Sequence, residues 1–148
     1  ITLAAARIKL GLQEKLFLGN LDSKRDWGYA PEYCEGMWLM LQQKEPEDFV
    51  LSTGKQYTVR EFIELSFNEL GITIEWHGEA LNEVGIDTKT GREIVAINPK
   101  YYRPTEVDSL LGDATKAREK LGWEPKTTLK SIVKKMVSSD LERVKKYG

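Results

Sequence analysis

Hydrophobic and polar positions alternate along the chain with two periods, one near 3.6 and one of 2, so helices and strands are both predicted. Ile1, Ala4, Ala5, Ile8 and Leu12 follow helical spacing, and Gly11 marks a natural stop. No capping residue stands ahead of Ile1, so this helix is expected to start upstream. Leu16-Phe17-Leu18 reads as a short buried strand ending at the Gly19-Asn20 turn, and residues 21–30 as a polar loop. Pro31 suits the first turn of a second helix. Its apolar residues Tyr33, Cys34, Met37, Trp38 and Leu41 make a face so wide that a large partner surface is expected.

Phe49-Val50-Leu51 reads as another strand, closed by Thr53-Gly54. Thr58 with Glu61 three residues on forms a capping box, and Val59, Phe62, Ile63, Phe67 and Leu70 stripe the helix behind it as far as Gly71. Ile72, Ile74 and Trp76 alternate with polar residues as a half-buried strand does. Ile94 to Ile97 predicts a further strand, with only a polar, glycine-containing loop between the two. A short helix is predicted over 116–121, capped near Asp113 and ended by Gly122. Thr128 caps the last helix, whose stripe runs through Leu129, Ile132, Val133, Met136, Val137, Leu141 and Val144. The result is a mixed α and β chain with too few strands to complete a large sheet.

Composition narrows the function. At 148 residues the chain suffices for one ordinary domain, with hydrophobic residues at 41% and charged residues at 30%, near globular averages. Lys plus Arg number 22 against 23 for Asp plus Glu, leaving no excess positive field to gather a nucleic-acid backbone. Cys34 and His77 are each alone of their kind and supply neither an internal disulfide nor a zinc site. No signal peptide is visible, and no apolar stretch reaches the roughly 20 residues a membrane helix needs. A cytoplasmic setting without membrane or nucleic-acid partners is the expectation.

Catalytic patterns are missing. A dinucleotide-binding turn places glycines two and three residues apart so that the backbone approaches a pyrophosphate. None of the 12 glycines has another within three residues, and none of the six tyrosines has Lys four residues on. No catalytic residue is assigned. Two segments nevertheless put Arg in loops beside rigid or aromatic residues: residues 19–28, containing Arg25-Asp26-Trp27, and residues 101–108, containing Arg103-Pro104-Thr105-Glu106. Arg offers a planar fork that grips a diphosphate bidentately. Pro104 keeps Arg103 out of the α region, and a carboxylate at Glu106 accepts hydrogen bonds as sugar hydroxyls require. On the residues alone a surface ion pair at Arg25-Asp26 and a plain turn at Arg103-Pro104 account for the same pattern more simply. Trp27, Trp38, Trp76 and Trp123 read as core rather than as ligand platforms.

At these positions the chain resembles the extended branch of the short-chain dehydrogenase/reductase superfamily, through Gly19 with Arg25-Asp26-Trp27 and Arg103 with Glu106. Within that branch it resembles the GDP-mannose 4,6-dehydratases more closely. The blocks that carry this likeness include residues 18–22, 24–28, 37–42, 46–50, 59–62, 103–108, 111–113 and 120–123, in the family's order with similar gaps. The resemblance implies an α/β fold: a mixed α and β substrate-binding domain plus elements that return to a Rossmann-type sheet. Residues 1–25 would begin the substrate-binding region, 26–56 would return to the dinucleotide-binding domain, and 57–148 would form the substrate-binding domain.

The resemblance further implies the family's reaction, in which NADP oxidises the mannose C4 hydroxyl, water leaves across C5 and C6, and the hydride returns to C6. Family glycine-rich turn and catalytic groups precede the matched region, as does a nucleotide-sugar-binding Lys expected just ahead of Ile1. By the same resemblance Asn20, Arg25, Arg103 and Glu106 bind GDP-mannose, with both arginines on the diphosphate and Glu106 on the ribose. NADP binds mainly elsewhere, and the full-length protein is a homo-oligomer. Tyr29 replaces a family His and Leu3 a family Arg, which removes charge at two positions outside that set. A related nucleotide-sugar epimerase or reductase, and a stand-alone non-catalytic nucleotide-sugar-binding module, are the alternatives.

Overall fold

The computed structural model describes residues 1–105, 107 and 109–148. Five helices and six strands follow in the order α1 (Thr2–Lys9), β1 (Leu16–Leu18), β2 (Lys24–Arg25), α2 (Ala30–Leu41), β3 (Tyr57–Thr58), α3 (Val59–Asn68), β4 (Ile74–His77), β5 (Val84–Asp87), β6 (Glu93–Ile97), α4 (Thr115–Leu121) and α5 (Leu129–Tyr147), with a 3-10 turn at Ala80–Asn82. The main sheet has the order β1-β6-β5-β4, with β1 parallel to β6 and the other pairs antiparallel. As an inner strand, β6 is buried from Ile94 to Ile97, which explains its unbroken apolar run.

Helices α1, α3 and α5 pack on one another and against this sheet. Ile63, Phe67, Val95 and Val133 are fully buried at the centre of that layer. Each such side chain contributes about 1.5–3 kcal/mol by leaving water. The capping box forms as read: Glu61 N donates to Thr58 Oγ1 at 3.1 Å and Thr58 N to Glu61 Oε2 at 2.6 Å. Thr128 caps α5 with its side chain alone, accepting from Ser131 N, and Asp113 accepts from Thr115 N at 2.9 Å at the start of α4.

A second, smaller cluster unites α2 and α4. Ala114, Ala117, Leu121 and Trp123 are buried there against Tyr33, Leu39, Met40, Phe49 and Leu51. Trp123 Nε1 donates to the Glu32 carbonyl at 2.6 Å, and Gly36 leaves the room that the indole and Leu51 occupy. Only one side of α2 is used. Met37, Trp38 and Leu41 stand 57%, 58% and 82% exposed, so most of the wide apolar face read from the sequence is bare.

Four expectations need correction. Residues 49–51 form no strand; Phe49 and Leu51 spend their apolar surface on the α2–α4 cluster instead. The loop expected between β4 and β6 contains β5, and the loop expected over 21–30 contains β2, which pairs with the equally unexpected β3. Trp38 is not core. Among the described residues no helix is long and apolar enough to cross a membrane.

Candidate functional site

The two Arg-bearing loops converge at the end of β1. Beyond Leu18 the chain turns at Gly19, where an added Cβ would collide with the backbone carbonyl of Tyr101. Glycine is required by that close approach. Asn20 then fixes the second loop to the first: its Nδ2 donates to the Arg103 carbonyl at 2.9 Å, and Arg103 N donates to its Oδ1 at 2.8 Å. A side-chain amide satisfying both backbone groups of one residue holds that residue's orientation firmly.

Arg25 arrives from the other side, on β2. Its Nη1 donates to the carbonyls of Lys24 at 2.7 Å and Val107 at 3.2 Å, which ties Val107 to β2. Asp26 is committed elsewhere, accepting from Thr53 N, Thr53 Oγ1 and Gly54 N at 2.9, 2.6 and 3.0 Å. Its carboxylate therefore shapes the Thr53-Gly54 turn.

Between the loops lies a cavity of about 290 Å³ whose lining includes Leu18, Asn20, Arg25, Lys100, Tyr101 and Arg103. Three cations and no acid line it among the described residues. Such a site suits a dianion flanked by an apolar or aromatic group, because the guanidinium forks give directional, charge-assisted hydrogen bonds and Leu18 and Tyr101 give apolar surface. Asn20, Arg25 and Arg103 thus line one cavity. Glu106 lies outside the described residues.

Sequence reading missed Lys100. Its position beside Tyr101-Tyr102-Arg103 was the available signal, and its backbone N–H donates to Asn98 Oδ1 at 3.0 Å, which orders the turn that delivers it. A second cavity, of about 450 Å³, lies behind the same loop, lined among others by Asp22, Lys24, Ala80, Glu83 and Tyr102. Both cavities share Gly19, Asn20 and Ser23. The loop is a thin partition.

Residues 1–136 match the family model for GDP-mannose 4,6 dehydratase. The chain belongs to the GDP-mannose 4,6-dehydratase family. It is 57% identical over 141 residues to the GDP-mannose 4,6-dehydratase of Sinorhizobium fredii, covering 95% of this chain and 40% of that protein. To the Homo sapiens GDP-mannose 4,6 dehydratase it is 54% identical over 142 residues, covering 96% of this chain and 38% of the relative. The chain thus spans about two-fifths of the length of the curated relatives it matches.

Among solved structures, RMD from Pseudomonas aeruginosa complexed with NADPH superposes with a TM-score of 0.73 at 21% identity, over 97% of this chain and 43% of that one. The dTDP-glucose 4,6-dehydratase of Bacillus anthracis in complex with NAD gives 0.69 at 19% identity, over 98% of this chain and 39% of that one. These likenesses show the fold, a mixed α and β architecture shared with about two-fifths of each of those chains.

Proposed function

We propose that this chain is the nucleotide-sugar-binding part of a GDP-mannose 4,6-dehydratase, in which Arg25 and Arg103 hold the diphosphate of GDP-mannose. The single observation that carries this reading is the cationic cavity in which Asn20 fixes Arg103 opposite Arg25. Support for the guanosine-linked substrate comes from the names of relatives that are 54–57% identical over nearly the whole chain. Leu18 and Tyr101 would cover the nucleoside, and Glu106 would accept from the ribose hydroxyls. In the whole protein the product would be GDP-4-keto-6-deoxymannose, formed in the cytoplasm by a homo-oligomer.

The residues present do not fit a dinucleotide cofactor, since no two of the 12 glycines lie within three residues of each other. NADP, together with the acid and base groups of the reaction, therefore belongs to sequence ahead of the region matched here. Residues 26–56 would return toward that half, presenting the bare side of α2 to it.

Calorimetry with GDP-mannose on the intact protein tests the site. A charge-assisted Arg to diphosphate bond contributes about 1.5–3 kcal/mol, so Arg25→Ala and Arg103→Ala should each weaken binding roughly ten- to over a hundredfold. Arg103→Lys retains charge without the fork and should fall between wild type and Ala. GMP, which lacks the second phosphate and the sugar, should be much less sensitive to either change. Wild-type affinity in both folded Ala variants would overturn the assignment.

A further inference from the structure

The partition loop lines both cavities, so its position has to be set by what it is tied to. Besides the Arg25 bond to Val107, the backbone ties described along 21–25 lead to residues 57–60. Lys24 and Arg25 pair with Thr58 and Tyr57 as a two-residue antiparallel ladder. Val59 N donates to the Ser23 carbonyl at 3.1 Å, and Arg60 N to the Leu21 carbonyl at 2.9 Å. The remaining tie is made by a side chain. Arg60 Nε and Nη2 reach Asp22 Oδ1 at 3.1 and 2.9 Å.

The other edge of the same guanidinium reaches Glu83, Nη1 to Oε1 at 2.5 Å and Nη2 to Oε2 at 3.1 Å. Glu83 closes a strap that begins at Gly78 and carries Ala80 at a φ of +51°, a left-handed conformation that an alanine holds only when its surroundings impose it. Arg60 also stacks over Trp76, 4.7 Å from the ring centroid, and the Trp76 indole donates to Glu64 at 2.8 Å on the next turn of α3. The guanidinium is therefore seated on a platform fixed by its own helix, with one carboxylate from the partition loop and one from the strap.

We propose that Arg60 is a positioning residue of the nucleotide site, clamping Asp22 and Glu83 so that the loop bearing Asn20 and Arg25 keeps its geometry toward Arg103. This rests on the site reading given above. Lys cannot replace it, because one ammonium cannot address two carboxylates along two edges while lying flat on an indole. Without the clamp the partition can shift into the rear cavity, carrying Asn20 and Arg25 away from the diphosphate. The described side-chain partners of Arg60 are Asp22, Glu83 and Trp76, none of which lines the front cavity, so it acts on binding through the loop rather than on chemistry.

Steady-state kinetics on the intact protein, with thermal midpoints measured in parallel, test the proposal. Arg60→Ala should raise KM for GDP-mannose by about tenfold or more, the loss expected from one misplaced charged contact, and leave kcat within about twofold. Arg60→Lys should recover only part of the difference, and it becomes the deciding variant if Arg60→Ala does not fold. A lowered midpoint with unchanged KM would show a merely structural role and overturn the proposal, as would unchanged KM in a fully stable variant. Failure of the unmodified protein to bind GDP would overturn the underlying site reading and the proposal with it, a result recognisable without any variant.

Discussion

At the scale of single residues, the sequence shows a residue's type and the fold shows its neighbours. Arg25 and Arg103 stood out as forked cations in loops, and the fold brings both to one cavity. Arg60 did not stand out, because in the sequence it is one of several charges on the exposed side of an amphipathic helix. Its partners Asp22 and Glu83 are 38 and 23 residues away. Such a clamp is a product of tertiary structure and leaves no local spacing to read. Gly19 is the reverse case, a turn residue on sequence grounds whose real constraint is the Tyr101 carbonyl lying where a side chain would start. Gly19→Ala has only backbone to push against, so it should destabilise the fold by about 1–3 kcal/mol, as overpacking does, and should also part Asn20 from Arg103. Urea denaturation measures the first effect and GDP affinity the second. An alanine variant matching wild type in both would show that the two loops are not in register through this contact.

At the scale of elements, what was legible had either a cap or a long stripe. Thr58-Glu61 and Thr128 announced α3 and α5, and the run 94–97 announced the inner strand β6. The strands that escaped are short or interrupted. β2 and β3 are two residues each and too brief for a period to show. In β5 the buried positions are Gly85 and Asp87 rather than apolar side chains, and for Gly85 the structure supplies the reason. A Cβ there would meet Ile74 at 2.9 Å and Trp76 at 3.0 Å, so the neighbouring strand's large side chains fill the space that β5 leaves empty. The hairpin from β5 to β6 is held by Asp87, whose carboxylate accepts from Lys89 N at 2.9 Å and Thr90 Oγ1 at 2.7 Å. Burial acts to raise its pKa, but the hydrogen bonds from Lys89 and Thr90 together outweigh it and hold the carboxyl below its ordinary value. A carboxyl depressed in the folded state binds its proton more weakly than in the unfolded chain. Its contribution is therefore complete above the unfolded pKa of about 3.9 and is lost as pH falls through the lower folded value. Asp87→Asn should consequently be less stable than wild type near neutral pH, with the gap narrowing as pH approaches about 3. Denaturant midpoints for both proteins across that range check it, and a gap independent of pH would remove the charge from the explanation.

At the scale of the whole molecule, the decisive feature is an imbalance between the two apolar clusters. One is a layered core of three helices on a sheet. The other buries only one side of α2, leaving Met37, Trp38 and Leu41 more than half exposed in a row on the opposite side. Large exposed apolar residues scattered singly need no explanation, whereas a contiguous group on one helix face marks an interaction surface. The wide periodicity read from the sequence was thus correct about the helix and silent about what covers it, since a pattern reports that a face is apolar and not which atoms lie against it. The chain spans about two-fifths of its curated relatives, and the dinucleotide-binding half proposed to precede it is the occupant that the family membership favours. Amide hydrogen exchange should then show α2 slow in the intact protein and faster in the 148-residue chain alone, with α3 and α5 equally protected in both. Covering Trp38 would also shift its fluorescence to the blue. The same comparison should find turnover of GDP-mannose with NADP only in the intact protein, because this chain carries neither a glycine-rich turn nor a Tyr with Lys four residues on. Equal protection of α2 in the two proteins would mean that the bare face of Met37, Trp38 and Leu41 meets something other than that half.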